Sequence, residues 1–573
     1  MTLQTEASIV IKEHGLCSLP SLPTKWDVDV FINEFQTTVL SISPEIIEFD
    51  LINLDCTFAN AIRRIIVAEV PSFAIERVYL HQNTSVIADE VFCHRLGLVP
   101  LNIDGNKLDF CNNDLPNNCE IDDFDPSHHI IFDLDVKIDK LPSVKESDVS
   151  VKEGLHIFPL YSHYRAYFAQ NPLPLGAVWE NLWTPGTQNP VSEYFRYEDK
   201  ISKSNPPIYA KMPVLLARVQ NSKRRFFFSH KDIHFPLRTY YGQWYHPPTI
   251  LVLFLCFSKA LTWVPLPGQS EVLISEEMAS PAPVSGTILL NKLAVGDEIQ
   301  ARCLAVKGVG RDHAKFSPVS AAYYKLLPTV RLKHTVQGDL AKKLQKSFAK
   351  GVITIDPVTG VASVANSRLD NGSREYLRLP ELADVVEVTL NTRHFLFTVE
   401  SIAPGHRPPD TLVKTAIDVL LQKCAHYLAI VERPGFASTP VTEIDADPVL
   451  TASETDENAC TRLYGRAVGL DAIFVSSDLR RATFRFTGED HTLGAALRYC
   501  ILQSDAVKLC GYCQPHPLED AICFEIQSRE EPAVAVLRNG LYCLRTCFEH
   551  IKRKFKSAVK KAKKAFVKHQ SSE

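Results

Sequence analysis

A chain of 573 residues, 45% hydrophobic and 22% charged, has the composition of ordinary soluble globular protein and the length for several units with sizeable cores. Its net charge of -4 excludes a globally basic nucleic-acid binder, although the charge is unevenly spread along the chain. Fifteen cysteines follow no disulfide framework, no secretory signal opens the chain, and the longest apolar run (Thr249 to Phe257) is too short to span a bilayer, so reduced thiols in an intracellular compartment and no membrane span are expected.

Residues 1–37 are mixed in character and read as an N-terminal extension with little regular structure. From Thr38 onward, Val39, Ile42, Ile46, Ile47 and Phe49 read as strand positions leading to Leu54. The stretch Asp55-Cys56-Thr57-Phe58-Ala59-Asn60-Ala61-Ile62-Arg63-Arg64 then opens a helix, because an Asp carboxylate accepts from orphan N–H groups and suits the positive helix end. Phe58, Ile62, Ile65 and Glu69 share one helical row, and Pro71 stops the helix. Phe73 to Leu80 alternates as a strand, and the segment from Val91 reads as a short helix ended by Gly97 with a strand after it.

Ile130 to Val136 is strand-like. Between about Gly154 and Phe257 the chain is rich in aromatics, Pro and His and keeps no helical or strand period, which is unusual for a compact domain. Farther on, Asp312 and His313 sit beside a glycine-rich turn. An enzyme would use them as a catalytic pair, but neither a GxSxG elbow nor a GxxxxGKS/T loop accompanies them. From Arg433 to Ala459 the chain turns acidic, with Glu443, Asp445, Asp447, Glu454, Asp456 and Glu457 and no basic residue between Arg433 and Arg462, as in a self-repelling linker.

After the strand Arg481 to Phe486 the helix-opening stretch recurs as Asp490-His491-Thr492-Leu493-Gly494-Ala495-Ala496-Leu497-Arg498-Tyr499, with Asp, Thr, Ala and Arg at the same offsets. Leu493, Leu497 and Ile501 form its apolar row. Cys510 to Glu519 reads as a rigid turn into the strand Ala521 to Gln527. Pro532 suits the start of a long final helix in which Val536, Leu537, Leu541, Leu544, Phe548 and Ile551 recur at helical spacing. In the tail, 552–573, Lys552, Arg553, Lys554, Lys556, Lys560, Lys561, Lys563, Lys564 and Lys568 face one acidic residue, Glu573. Such a run is either a phosphate-binding or nuclear-import signal or a solvated, fraying helix end.

Metal sites are poorly supported. Cys510-x-x-Cys513 lacks a second ligand pair, and the spacing of Cys111, Cys119, His128 and His129 is unsuited to a metal. Asp122-Asp123-Phe124-Asp125 lacks the Gly-Asp ending of a polymerase magnesium motif.

Asn60 to Arg64, Asn83-Thr84-Ser85, Asp89-Glu90 and His94 to Leu101 resemble the signature of the alpha-type subunits of multisubunit RNA polymerases. Ser258 to Gln269, Gly308 to Val319, Ser373-Arg374-Glu375, Phe395 to Ser401 and Pro409 to Glu432 resemble later segments of the larger alpha-like subunit shared by RNA polymerases I and III. The second repeat through Glu519 resembles the small alpha-like partner, except that Ala495 stands where that family usually has Asn.

The resemblance implies an α+β chain in which both subunits are fused as two dimerisation domains of antiparallel sheet backed by helices. The implied order is the first part of the large domain at 38–104, an inserted domain at 105–317, the second part at 318–432, an acidic linker at 433–467, the small domain at 468–551 and the basic tail. Within the insert, about 154–257 has no family counterpart and is either an insertion or translated intron sequence. The family implies a non-catalytic assembly platform in the nucleus, including the nucleolus, with the large catalytic polymerase subunits as partners, DNA contacted only through the complex, and no cofactor or metal. The interface candidates are Phe58, Ile62, Arg63, Arg64, Ile65, Leu493, Leu497, Arg498 and Ile501.

Overall fold

The computed structural model describes residues 8–12, 15–18, 26–105, 107–111, 115–116, 120–138, 254–274, 280–441, 461–463 and 466–570. Its principal helices are α1 (Val28–Glu34), α2 (Cys56–Ala68), α3 (Asp89–Gly97), α4 (Gly338–Ser347), α5 (Pro409–Val431), α6 (His491–Leu502) and α7 (Ala533–Gln570). Among the described residues, no helix is long and apolar enough to cross a membrane.

The first unit is built on an antiparallel sheet whose central strand, Val386–Ser401, pairs along its length with Val319–Leu332. Its other edge is shared by Ser8–Lys12 and Ile46–Ile52. The alternation from Thr38 divides into two strands, Gln36–Ile42 and Ile46–Ile52, turned back on each other at Ser43, whose hydroxyl and backbone bond to Ile46. The unit also begins before residue 38. In α1, Phe31 is buried, and Phe35 beyond it is fully enclosed by the core, so the extension supplies large apolar side chains that the mixed composition concealed. Ser373 to Glu375 leads into a 3-10 turn at Glu375–Arg378.

The inserted domain starts earlier than residue 105, where the resemblance put it. Pro71–Asn83 pairs antiparallel with Glu298–Val309, with register shifts at Gln300/Ala301 and Leu304/Ala305; Glu298–Val309 pairs in turn with His129–Lys137, and Leu261–Val264 closes the sheet. Phe73, Ile75, Phe92 and Leu96 belong to this second core, so residues from Pro71 onward, α3 included, belong to the insert. At the far end, Phe254–Phe257 is a strand paired with Leu289–Leu293 and Cys256 is buried, so 254–257 belong to the insert's fold rather than to the segment without family counterpart. The remainder of the expected 154–257 segment lies outside the described residues, as does Cys119. The insert is tied to the first unit by Arg407. Its buried guanidinium donates to the carbonyls of Pro71 (3.1 Å) and Ile103 (2.7 Å), and burial lowers its pKa to about 10.

The second unit is a five-stranded antiparallel sheet in the order Thr461–Leu463, Arg466–Val475, Arg481–Thr487, Ala521–Ser528 and Val507–Cys513. Residues 461–463 and 466–467 are therefore strand rather than linker, and Val441 bridges antiparallel to Val475, which leaves 442–460 between the two described ends. Cys510 and Cys513, read as part of a turn, lie in the edge strand. Residues three apart on a strand face opposite ways, and accordingly Cys510 is buried and Cys513 exposed.

Candidate assembly interface

Both Asp-x-Thr helices form as their caps dictate. Asp55 accepts from the Thr57 amide at 2.9 Å, and Asp490 accepts from the Thr492 amide at 2.7 Å. The first helix ends where its glutamate caps it, with the Glu69 amide donating to the Ile65 carbonyl two residues before Pro71. Each helix lies on its own sheet and presents a face to the other, so α2 and α6 pack together. Phe58, Ile62, Ile65, Leu493, Leu497 and Ile501 are all buried in one apolar core continuous across both units.

The closing helices complete the contact by crossing over. α5 leaves the first sheet and sets Tyr427 edge-on to Phe486 of the second unit, with ring centroids 5.0 Å apart. α7 runs the opposite way over the first unit, where Phe548 meets Phe58 at 5.5 Å and Phe555 meets Phe49 at 5.0 Å. α5 and α7 are antiparallel neighbours, held in register by Tyr542 to Glu432, Lys552 to Asp418, and Lys563 to Asp410 at 3.1 Å.

Charged groups fix the register of this apolar contact. Arg64 reaches across from α2, donating from Nε to the Thr492 hydroxyl at 2.8 Å and from Nη2 to Asp490 at 3.0 Å. Arg311 of the glycine-rich turn approaches the same carboxylate at 3.6 Å and also pairs with Asp520. Burial pushes the Asp490 carboxyl up, but the Thr492 hydroxyl and amide, Arg64 and Arg311 outweigh it and bring its pKa to about 2. The cap of the second helix is thus also the first unit's point of attachment.

Beneath it lies a buried cluster whose joint role the sequence did not reveal. The Lys423 ammonium on α5 donates to Glu69 at 2.8 Å and to Glu489 at 2.9 Å, and the Tyr427 hydroxyl donates to the other Glu489 oxygen at 2.9 Å. Burial alone would lower Lys423, but the two carboxylates hold its pKa above the usual lysine range. Burial raises Glu489, with Lys423 and Tyr427 pulling the other way. The only sequence signals were Glu69 falling in an otherwise apolar helical row and Glu489 standing next to the cap; Lys423 looked like an ordinary helix charge.

Two predicted interface residues lie elsewhere. Arg63 folds back on its own helix, with Nε and Nη2 at 3.0 and 2.9 Å from the Asn60 side-chain oxygen. Arg498 occupies the equivalent position in the second repeat and is exposed. The partner that Asn60 gives Arg63 has no counterpart there, because residue 495 is alanine. Asp312 and His313 are both exposed. The His313 ring accepts from the Lys315 amide at 3.1 Å, capping a short 3-10 turn. Cys111 lies 3.3 Å from His129, but no group of three or more His, Cys, Asp or Glu among the described residues is arranged to hold a metal ion.

The two packed units coincide with matches to two family models, each describing the RNA polymerase Rpb3/Rpb11 dimerisation domain, over residues 48–424 and 481–554. This chain belongs to that family. The longer match contains α2 and most of α5, and the shorter contains α6 and the first half of α7, so the helices that meet in the core come from two separate family domains. DNA-directed RNA polymerases I and III subunit RPAC1 of Bos taurus is 30% identical over 405 residues, 70% of this chain and 86% of that protein. Its counterpart in Saccharomyces cerevisiae is 30% identical over 404 residues, 70% of this chain and 89% of that protein. DNA-directed RNA polymerases I and III subunit RPAC2 of Danio rerio is 45% identical over 82 residues, 14% of this chain and 73% of that protein. The chain therefore resembles a large and a small alpha-like subunit joined end to end.

Proposed function

We propose that this chain is a non-catalytic platform subunit of nuclear DNA-directed RNA polymerases I and III, in which both members of the alpha-like pair are written on one polypeptide. The observation that carries this reading is the single core shared by two separate family domains and locked by Lys423 between Glu69 and Glu489. The large catalytic subunits are the partners that assemble on the paired units, and the polymerase chemistry resides in them. As a subunit of polymerases I and III the chain works in the nucleus, and the nucleolus is the proposed site of its polymerase I pool. DNA is engaged by the assembled enzyme.

Covalent linkage makes the pairing intramolecular. A short covalent tether supplies an effective concentration on the order of millimolar, so pairing no longer depends on the cellular abundance of two chains. Phe58, Ile62, Ile65, Leu493, Leu497 and Ile501, with Arg64, are the residues assigned to it.

The test is affinity purification of the tagged chain from native extract, with identification of what accompanies it. The large polymerase subunits should copurify with the parent and be lost with Ile62→Asp or Leu497→Asp, since each places an unpaired charge in the shared core. A parent chain that purifies without any large polymerase subunit refutes the reading.

A further inference from the structure

The basic run at the end of the chain is a docked helix rather than a loose tail. α7 continues as helix to Gln570, and its side chains are described as far as Ala565. Ile551, Phe555 and Val559 are buried along one stripe, and Phe555 lies against Phe49 of the first unit. Lys552 and Lys563, on the flank of that stripe, are held by Asp418 and Asp410 of α5.

This anchoring determines what faces outward. At 3.6 residues per turn, Arg553, Lys560 and Lys564 fall opposite Phe555 and Lys556 falls on the adjoining flank, and all four are exposed. Arg553 bonds to the His550 ring at 2.8 Å, whereas Lys556, Lys560 and Lys564 make no ion pair with the described residues. The four cations form a band about 16 Å long with about one positive head per helical turn. No acidic residue occurs between His550 and Gln570, so nothing on the strip itself neutralises it.

We propose that this strip is a binding surface for the phosphate backbone of duplex DNA. Charge selects a polyanion. Three of the four heads are lysine ammoniums, point charges without the bidentate fork of arginine, which suits contact with phosphates independent of sequence. Unpaired bases are usually held on aromatic rings, and along the strip, from Phe548 to Ala565, the only Phe, Tyr or Trp side chains are Phe548 and Phe555, both buried in the core, which favours a duplex over a single strand. The choice of DNA over an RNA duplex rests on the reading of the chain as part of a DNA-directed polymerase.

The experiment uses the full chain and fluorescence anisotropy with a 30-base-pair DNA duplex, an RNA duplex and a DNA single strand of equal length, and polyglutamate. Neutralising about four phosphates gives a log–log salt slope near -3.6, so affinity should fall roughly a hundredfold between 50 and 200 mM salt. Replacing Arg553, Lys556, Lys560 and Lys564 by Gln keeps helix propensity and the buried stripe, and should abolish most of the affinity at 50 mM salt. The control removes equal charge from exposed Lys342, Lys343, Lys346 and Lys350, on and beside α4, and should retain parental affinity within about threefold. Unchanged binding by the strip variant, an equal loss in the control, a salt-independent affinity, or tighter binding to RNA, single strands or polyglutamate overturns the proposal. Copurification with the large polymerase subunits is read separately. Its loss with DNA affinity intact strikes the platform reading alone, and loss of DNA binding with copurification intact strikes this proposal alone.

Discussion

Replacing Lys423 with Met separates the two ways the units are held together. Methionine fills similar volume and keeps the helix, so packing in α5 is largely conserved while the ammonium between Glu69 and Glu489 is removed. Breaking a buried ion pair from one side costs about 3–5 kcal/mol, because the remaining charge is left unpaired. Here two carboxylates are stranded, and Glu489 is fully enclosed. With a protease site introduced into the linker, the two halves can be titrated against each other after cleavage. The same energy corresponds to pairing weaker by roughly a hundredfold to several thousandfold.

The pH dependence identifies the cause. A buried carboxylate without a partner has a folded pKa above its unfolded one, so its favourable contribution is present at low pH and lost as pH rises through the folded value. The Lys423→Met defect should therefore shrink as pH falls toward 4.5 and be largest at neutral pH. Adding Glu69→Gln and Glu489→Gln should restore most of the stability at neutral pH, since the cluster is then uncharged. Lys423→Met within about 1 kcal/mol of the parent at pH 7, by denaturant unfolding and by half-to-half titration, would falsify the claim that this cluster locks the interface.

Other outcomes follow from the same geometry. Asp490 has its pKa depressed to about 2, so its contribution is present above the unfolded value of 3.8 and lost as pH falls through the folded one; up to about 2 kcal/mol should vanish between pH 4 and 2, and Asp490→Asn should flatten that part of the stability profile measured by urea unfolding. A Cβ at Gly540 would lie 2.4 Å from Ile501 Cγ1, so Gly540→Ala should destabilise by about 1–3 kcal/mol despite alanine's better helix propensity, and an increase in melting temperature would contradict the close α6–α7 approach. Phe555→Ala removes a fully buried ring from the shared core and should cost about 3 kcal/mol in chemical denaturation; a negligible change would mean that the basic helix is frayed rather than docked.

The two helix repeats were legible from sequence because their information is local. An N-cap aspartate with threonine two residues on and an apolar row at 3.6 spacing sets where a helix starts and which side it buries. Phe58, Ile62, Leu493 and Leu497 could therefore be named as interface residues without coordinates, whereas Arg63 and Arg498 could not be excluded. Their fates turn on residue 60 being Asn and residue 495 Ala, and on which arginine happens to point across the gap. The start of the insert was misplaced for a related reason. Pro71–Asn83 looks like any alternating strand, and only its pairing with Glu298–Val309, more than 200 residues away, assigns it to the second core.

By itself, then, the sequence determined the two units, the stripes they bury and the α+β class, because helix caps and periodicity act over a few residues. Tertiary structure decided which long-range partners complete each site. Lys423 gains meaning only when Glu69 and Glu489, separated by 420 positions of chain, close on it in a dry core. The lysine tail, equally readable as a fraying end, becomes an anchored strip only because Phe49 lies where Phe555 can reach it. Desolvation gives such contacts their energy, and desolvation is a property of the packed fold rather than of any stretch of sequence.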